Sequence, residues 1–415
     1  MLHDLRLFAA TDTFLATRMS RGAGLKLLMT LAAITLFSAL SLILAILGAL
    51  APSGLPGSVA SNDFSAFWAA GRLGLTDPVA TLSYDRLLEI QNWPSSDPAR
   101  YMAFAYPPLW LVAMLPFGAL SYAAAWPLYL GVSVGCFLGA LWFALSGVRW
   151  ERPFLVIAGV AAPSALYVLV AGQTTMLWLA LLLAATASLL RGWPIVAGLI
   201  CGLLAFKPQL CPLIAVALMA YAAPRPAMRP AIPAAAVSLL ATCTLPLLYT
   251  GWGYWPAWLD AVNEMAARIS ATENAWGAMI PWYPAFRVAG FGYEAALLLH
   301  VGIALALAAC VAALWYRAQV HPYLRIAGLL LAIPLVAPTS WYYEALAISL
   351  AAVFLAAARY DTTSWRRWHL VLLWLLPGIL PPLGTTLPMP LVIAPLATVL
   401  MIGVLREARR AQVVV

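Results

Sequence analysis

Long apolar segments recur along almost the whole chain and constrain its fold more than any other feature. A membrane-spanning helix needs about 20 consecutive apolar residues, and segments of about that length begin at eight places. They begin near Leu27, Tyr122, Pro153, Thr174, Ala231, Glu294, Trp368 and Leu391. Because 64% of all residues are hydrophobic and only 9% are charged, we predict an all-α integral membrane protein.

Four shorter apolar segments, each bounded by or close to proline, are also predicted to be helical. They are Pro194–Phe206, Leu210–Ala223, Leu324–Pro338 and Tyr343–Ala358. Such segments indicate helices that meet at re-entrant or cavity-lining bends, because irregular backbone at membrane depth must be buried or hydrated. Together with the long segments they predict a bundle of about twelve transmembrane helices. The first, Leu27–Leu50, is too long for the apolar region of a signal peptide and is expected to remain as a span.

The segment Tyr106–Leu120 either spans the membrane or lies in its interface, and the basic residues favour the interface. In that topology 17 of the 23 Lys and Arg residues fall on the side of both termini, which the positive-inside rule makes cytoplasmic. Ten of the fifteen acidic residues then lie outside. We therefore expect a multi-pass plasma (inner) membrane protein with cytoplasmic termini and an extracytoplasmic active site. The net charge of +8 is explained by cytoplasmic basic residues beside anionic membrane lipids, without a nucleic-acid partner.

The whole chain, residues 1–415, is predicted to be a single polytopic domain with two long outer loops. The first loop, 51–121, contains a weakly amphipathic interfacial helix after Asp63, in which apolar residues recur at helical spacing. The second loop, 251–293, is rich in tryptophan and tyrosine. Aromatic residues at this density either anchor a segment in the membrane interface or stack on sugar rings or a polyprenyl chain.

Cysteine and histidine show no pattern typical of a metal site or a disulfide framework. The five cysteines all lie within apolar segments without paired spacing, and the four histidines are scattered. The phosphate-binding motif G-x-x-x-x-G-K-[ST] does not occur in the sequence, which argues against an ATP-driven pump. We therefore expect neither a metal nor a cofactor.

Asp63 directly follows the first predicted span. A carboxylate just outside the bilayer, in a chain with so few charges, is a candidate for chemistry. Its position directly after a first span resembles that of the catalytic carboxylate in multi-spanning sugar transferases. This resemblance implies that Asp63 is a general base that takes the proton from an acceptor hydroxyl during sugar transfer. The alternative is that Asn62 or Asp63 caps the helix that follows, and the two roles are compatible.

Transfer of a sugar from a lipid phosphate also needs cations, because the charge of the leaving phosphate grows as its bond breaks. Lys207 and Arg72 are the candidates for donor phosphate binding. Lys207 interrupts the apolar stretch Gly198–Gln209, where a lysine costs about 3 kcal/mol to insert, so we expect a partner anion. The alternative is a lysine that snorkels to the outer interface.

Five further residues are candidates for substrate binding. Gln173, in a tight outer turn between two spans, either hydrogen-bonds the donor or is simply a polar turn residue. Trp341, Tyr343 and Glu344 lie at another predicted outer turn, where Glu344 is an acceptor ligand or a second acid. Tyr106, at the start of the interfacial segment, completes the set.

An ordered series of short motifs runs from the first outer loop to the middle of the chain. The motifs are Asp63-Phe64, Trp68-Ala69-Ala70-Gly71-Arg72, Asp77-Pro78, Tyr84-Asp85, Tyr106-Pro107-Pro108, Gly172-Gln173, Ala197-Gly198-Leu199 with Gly202, and Lys207-Pro208-Gln209. The series resembles glycosyltransferase family 87, the polyprenol-phosphate-mannose-dependent mannosyltransferases, over roughly residues 27 to 345. The resemblance implies the GT-C architecture and an inverting transfer on the outer face without a nucleotide sugar. It also implies that Asp63 is the base and that no metal is strictly required.

The chain departs from the mannosyltransferase branch of that family around residues 337–344. There the branch commonly reads Ser-Pro, then Ser-Trp, then histidines, whereas this chain has Ala337, and Tyr343 and Glu344 stand where histidines are expected. If those histidines position the donor or the acceptor, this protein uses a different acceptor or a different sugar. Mannose is therefore what the resemblance implies rather than a property of these residues.

These features lead to one predicted function and two alternatives. We predict transfer of a hexose, with mannose as the default, from a polyprenyl phosphate-linked sugar donor to a glycolipid or glycan acceptor within the membrane lipids. The first alternative is a ligase or polymerase of lipid-linked glycans, which shares the donor type and the membrane side. The second is a lipid-linked sugar transporter, which more often places charges at the bilayer midplane.

Overall fold

The computed structural model describes residues 63–91, 103–271, 273–360, 364–381 and 386–410. These residues are almost entirely helical, and the extended pairing among them is an isolated antiparallel β-bridge between Met279 and Trp341. The all-α prediction is therefore confirmed. The predicted span Leu27–Leu50 and the possible cap Asn62 lie outside the described residues.

The α-helices follow one another with short connections. They are α1 (Asp63–Gly74), α2 (Tyr84–Gln91), α3 (Pro108–Gly118), α4 (Tyr122–Ala144), α5 (Arg152–Val160), α6 (Pro163–Ala171), α7 (Thr175–Leu190), α8 (Pro194–Leu203), α9 (Pro212–Ala222), α10 (Ala231–Thr244), α11 (Leu247–Thr250), α12 (Tyr254–Ala271), α13 (Trp282–Val288), α14 (Tyr293–Tyr316), α15 (Pro322–Val336), α16 (Leu346–Ala357), α17 (Ser364–Ile379) and α18 (Met389–Arg410). Short 3₁₀ turns lie at Val79–Leu82, Leu204–Phe206, Pro208–Leu210, Pro226–Met228, Glu273–Ala278 and Tyr342–Ala345.

Proline explains why so many of these apolar helices are short. Five of them have a proline at their first helical position: Pro108, Pro163, Pro194, Pro212 and Pro322. Proline suits this position because its missing N–H would have no helical partner there. It also disfavours helical backbone in the residue before it. The residue before the proline is non-helical in four of the five cases, so these prolines separate their helices from the preceding segments. Cys211, before Pro212, keeps helical backbone.

Among the described residues, four helical segments are long and apolar enough to cross a membrane. They are Tyr122–Ala144, Pro226–Thr250, Tyr293–Tyr316 and Met389–Arg409. A fifth is added if α5 and α6, which meet at an angle of 50°, form one broken span. The other apolar segments form helices of 10–17 residues, so the prediction of about twelve spans is not confirmed. The break at Pro163 shows how one apolar segment becomes two helices.

The most buried helices lie at the centre of the bundle, and the longest lie at its surface. Almost every residue of α15 and α16 is buried. By contrast, α4, α10 and α14 expose large apolar side chains, including Leu128, Leu240 and Leu298. Exposed apolar surface on this scale marks a membrane contact rather than a water-facing surface. The structure is therefore that of a membrane protein.

Helix α1, which carries Asp63, is fixed against α3 by a close approach of their backbones. A Cβ atom on Gly118 would lie 2.1 Å from the carbonyl carbon of Gly71, so only glycine fits there. The indole Nε1 of Trp68 also donates a hydrogen bond to the carbonyl of Leu120 at 3.0 Å. With 11 residues, α3 is only about 16 Å long and is too short to cross the bilayer alone. This agrees with an interfacial Tyr106–Leu120, whose side of the membrane stays a prediction.

The turn between α6 and α7 packs directly on the start of α1. Gly172 ends α6 with a left-handed backbone (φ +66°), and the N–H of Gln173 donates to the carbonyl of Val168 at 2.9 Å. This is a usual way to end a helix, and it favours glycine. A Cβ atom at Gly172 would lie 2.4 Å from the Cβ of Phe64, the second residue of α1. Glycine is therefore required both by the backbone conformation and by the neighbouring helix.

We predict that Gly172→Ala destabilises the protein more than the matched change Gly290→Ala. Both glycines have a positive φ and follow a helix with the same pair of closing backbone hydrogen bonds, but a Cβ at Gly290 would meet nothing within 4 Å. Both variants lose about 1–2 kcal/mol to backbone strain, and Gly172→Ala loses about 1–3 kcal/mol more to overpacking. Thermal unfolding in detergent measures the difference. Equal losses would show that the contact with Phe64 relaxes freely.

Candidate active site

Asp63 is the first residue of α1, and its carboxylate is held by the turn that precedes α7. The side-chain amide of Gln173 donates a hydrogen bond from Nε2 to Oδ2 of Asp63. The contact exists because Gly172 lets the turn approach the first residues of α1. Two segments that lie 110 residues apart in sequence therefore meet at this carboxylate.

The orientation of the Gln173 amide is fixed by donors on its oxygen. Oε1 accepts hydrogen bonds from the hydroxyl of Tyr106 and from the N–H of Thr174, each at 3.2 Å. With Oε1 occupied by donors, Nε2 is the atom that faces Asp63. The hydroxyl of Tyr254, in the second outer loop, donates to the carbonyl of Tyr106 at 3.3 Å. Both predicted outer loops thus support the position of one carboxylate.

Lys207 lies in the break between α8 and α9. Its backbone (φ −122°, ψ 74°) is not helical, as expected for a residue that precedes a proline. The break is held on one side by Trp178, whose indole N–H donates to the carbonyl of Leu204 at 3.2 Å. On the other side Phe206 stacks on Trp110 of α3 with ring centroids 4.8 Å apart. These contacts direct a lysine from a non-helical break into the protein interior, where its exposed fraction is 2%.

The ammonium group of Lys207 is paired with Glu344. Nζ lies 3.0 Å from Oε1 of Glu344 and 3.4 Å from Oγ1 of Thr175, and it faces the ring of Tyr343 at 5.2 Å from the centroid. The prediction of a partner anion for Lys207 is confirmed. The alternative of a snorkelling lysine is wrong, because the side chain is enclosed by protein.

Glu344 lies in the 3₁₀ turn that leads into α16, and its second oxygen caps that turn. Oε2 accepts the backbone N–H of Trp341 at 2.6 Å, and the exposed fraction of Glu344 is 5%. Trp341 is in turn joined to the second outer loop by its bridge to Met279. The neighbouring N–H of Ile280 donates to the carbonyl of Ser340 at 3.0 Å.

Asp63, Lys207 and Glu344 are close enough to interact electrostatically. Burial raises the pKa of the Asp63 carboxyl above its ordinary value, because water no longer solvates the ionised form. The hydrogen bond from Gln173 and the charge of Lys207 lower the pKa, whereas the charge of Glu344 raises it further. The arrangement thus combines a carboxylate of increased basicity with a nearby cation.

Arg72 is the predicted site residue that the structure does not bring into this cluster. It lies nine residues after Asp63 on the same helix, which places it about 13 Å along the axis and on the opposite face. Its side chain is exposed, and its guanidinium lies 5.7 Å from the ring centroid of Trp68. The other seven predicted residues lie in two neighbouring groups that interact electrostatically and are joined by the turn of Gln173, Thr174 and Thr175. One group is Asp63, Tyr106 and Gln173, and the other is Lys207, Trp341, Tyr343 and Glu344.

Three residues of the cluster were not expected as site residues. Thr174 contacts Gln173 and Tyr106, and Thr175 contacts Lys207. Tyr254 supports the backbone of Tyr106. Both threonines belong to the polar turn that was recognised around Gln173, so extending the candidate set along that turn would have included them. The sequence gives no signal that separates Tyr254 from the other aromatic residues of its loop.

Among the described residues, no group of three or more His, Cys, Asp or Glu side chains is placed to hold a metal ion.

Comparison with known proteins identifies the family. The model of glycosyltransferase family 87 matches residues 104–338, which is more than half of the chain. The matched range contains Tyr106, Gln173 and Lys207, whereas Asp63 and Glu344 lie outside it. No curated protein and no solved structure matches the chain. On the strength of the family match, this helical membrane protein belongs to glycosyltransferase family 87 and is a glycosyltransferase.

Proposed function

We propose that this glycosyltransferase moves a hexose from a polyprenyl phosphate-linked donor to a glycolipid or glycan acceptor, with Asp63 as general base. The observation that carries the proposal is the Asp63 carboxylate, which is oriented by Gln173 and lies in one cluster with Lys207. A carboxylate and a cation are the two groups that displacement of a phosphate by a hydroxyl requires. Mannose is the first sugar to test, because the resemblance to the mannosyltransferase branch implies it.

The proposed reaction is a single displacement. Asp63 takes the proton of the acceptor hydroxyl while that oxygen forms a bond to the anomeric carbon of the sugar. The bond from this carbon to the phosphate oxygen breaks, and the phosphate leaves with the electron pair. Attack from the face opposite the leaving group inverts the anomeric configuration. Since phosphate is a stable anion, its departure needs a cation rather than a second catalytic acid.

The environment of Asp63 supports this role. Burial raises its pKa, which increases its affinity for the acceptor proton. The amide of Gln173 and the charge of Lys207 oppose this effect and favour the ionised form, which is the form that can accept a proton. Glutamine is suited to this position because it donates a hydrogen bond without adding a charge.

Lys207 is proposed to stabilise the donor phosphate, and the apolar surface of the bundle is proposed to hold the lipid chain. Exposed apolar side chains on α4, α10 and α14 give a polyprenyl chain the same environment as the surrounding lipid. We propose that the site faces the extracytoplasmic side of the plasma membrane. Support comes from the distribution of basic residues, 17 of 23 of which fall on the opposite side in the interfacial topology.

We predict that Asp63→Asn lowers transfer by at least about 10²-fold, which is the usual contribution of a general base. Purified protein in liposomes is given radiolabelled polyprenyl-phosphate-mannose and an extract of host lipids. The control is Asp260→Asn, which removes an exposed carboxylate from α12. Wild type and control should form a labelled product, whereas Asp63→Asn should not.

Other outcomes of the same assay contradict specific parts of the proposal. Normal turnover by Asp63→Asn would remove Asp63 as the base. Label that crosses the bilayer unchanged, equally with wild type and variant, would indicate a transporter. Label built into long chains or transferred as a preassembled glycan would indicate a polymerase or a ligase.

We predict that Gln173→Leu shifts the acidic limb of the pH–rate profile to higher pH. The hydrogen bond from Gln173 lowers the pKa of Asp63, so its loss raises that pKa. At a given acidic pH a smaller fraction of Asp63 is then ionised, and the rate falls more at low pH than at high pH. The exposed Gln319, between α14 and α15, supplies the control Gln319→Leu. A uniform loss of rate at all pH values would show that Gln173 only holds the fold.

We predict that the charge of Lys207 strengthens donor binding by about ten-fold or more, as for hydrogen bonds to charged groups in general. Changing Lys207 alone would leave Glu344 buried without a partner, at a cost of about 3–5 kcal/mol. The comparison is therefore made between Glu344→Gln and the double variant Lys207→Met/Glu344→Gln. Equilibrium binding of the donor measures the difference. Equal affinities would remove Lys207 from the phosphate site.

Arg72→Ala tests the second predicted phosphate ligand in the same assay. Since Arg72 is exposed and about 13 Å along α1 from Asp63, we expect a smaller effect on donor affinity than for Lys207. Arg86→Ala, which changes an exposed arginine of α2, is the matched control. A loss as large as that of the double variant would place the phosphate beside Arg72.

A further inference from the structure

Glu344 is a buried carboxylate in the site that the proposed reaction does not use. It stands where the mannosyltransferase branch is expected to have a histidine, so it is a feature of this chain. One of its oxygens is bound to Lys207 at 3.0 Å, and the other caps the 3₁₀ turn through the N–H of Trp341.

The ammonium group of Lys207 is enclosed by neighbouring protein groups in this arrangement. A lysine has three N–H donors. Glu344 and Thr175 accept from the group, and the ring of Tyr343 covers it at 5.2 Å. With Lys207 only 2% exposed, a phosphate oxygen reaches Nζ only by replacing one of these neighbours.

Charge selects Glu344 as the neighbour to be replaced. Asp63, Lys207 and Glu344 together carry one net negative charge when both carboxyls are ionised. Adding an anionic phosphate while Glu344 stays in place puts further negative charge into a poorly solvated site, where like charges repel strongly. Replacing one anion on Lys207 by another leaves the charge on the lysine balanced. Thr175, by contrast, is neutral and begins the largely buried helix α7.

We propose that the carboxylate of Glu344 occupies the position on Lys207 that the donor phosphate takes. When the donor binds, its phosphate displaces Glu344 from Lys207. The inference rests on the proposed function, because it takes the donor to be a polyprenyl phosphate-linked sugar. No bond is made or broken in this step. The carboxylate leaves Lys207, and a phosphate oxygen accepts the hydrogen bond in its place.

The turn that carries Glu344 is held by backbone contacts as well as by its carboxylate, so the exchange does not unfold it. The N–H of Glu344 donates to the carbonyl of Trp341 at 2.9 Å, and this bond stays when the carboxylate swings away from Lys207 and from the N–H of Trp341. The segment before the turn is held separately by the bridge between Met279 and Trp341 and by the bond from Ile280 to Ser340. Movement is thus confined to the side chain of Glu344.

The test is the binding of polyprenyl phosphate, without a sugar, to wild type and to Glu344→Gln in lipid nanodiscs. Glutamine keeps the shape and one oxygen acceptor but carries no charge. If Glu344 competes with the phosphate, removing its charge tightens binding by about ten-fold or more, because like charges at one site repel each other. A residue that only holds Lys207 in position would give the opposite sign, a loss of affinity.

Two further variants complete the experiment. Glu264→Gln removes an exposed carboxylate that pairs with Arg268 at 2.7 Å and should leave the affinity unchanged. Glu344→His, measured at pH 8 where the imidazole is neutral, replaces Glu344→Gln if that variant fails to unfold cooperatively on heating. It should also bind polyprenyl phosphate more tightly than wild type.

The outcomes separate the inference from the proposed function. Tighter binding by the neutral variants supports the exchange. If wild type binds polyprenyl phosphate and the neutral variants bind it equally or more weakly, the exchange is overturned and the donor class is left intact. No binding of polyprenyl phosphate by wild type overturns the donor class, and the exchange with it.

Discussion

The buried ion pair between Lys207 and Glu344 is the interaction on which the rest of the site depends. Moving a charge from water into a protein interior costs several kcal/mol, and it is tolerated here because the partner lies 3.0 Å away. Neither the break between α8 and α9 nor the turn before α16 can keep its charged side chain buried without the other. The pair therefore fixes two segments that lie 137 residues apart in sequence and sets the position of the cation relative to Asp63.

The turn before α7 connects this ion pair to the carboxylate of Asp63. Three consecutive residues make the connection. Gln173 contacts Asp63, Thr174 contacts Tyr106, and Thr175 contacts Lys207. Gly172 makes this possible, because no larger residue fits against the start of α1. A single turn thus holds both the proposed base and the proposed phosphate ligand, so their separation depends on local geometry rather than on the whole bundle.

The local features of this architecture could be predicted from sequence, and the long-range ones could not. Apolar segments predicted the helices, and the proline-bounded segments became short helices such as α8 and α9. Segment length did not determine how many cross the membrane, because a proline divides one apolar run into two helices. Lys207 was predicted to have an anionic partner, but several acidic residues were available and only packing selects Glu344. Helical periodicity alone predicts that Arg72 lies away from Asp63, since nine residues correspond to two and a half turns and place the two residues on opposite faces of the helix.

Pairing of Lys207 with Glu344 avoids the cost of an unpaired ammonium group at the stage of the catalytic cycle when no phosphate is bound. Between turnovers no phosphate is bound, and an unpaired ammonium in apolar surroundings would be costly. Glu344 balances that charge in the free enzyme. In the proposed exchange, the product polyprenyl phosphate would occupy Lys207 after transfer, and the return of Glu344 would oppose its continued binding. If the exchange occurs, the residue that weakens donor binding also speeds product release, which is often the slow step in well-evolved enzymes. A neutral residue at this position would then trade turnover for affinity, which gives this carboxylate a functional role beside its structural role of fixing Lys207.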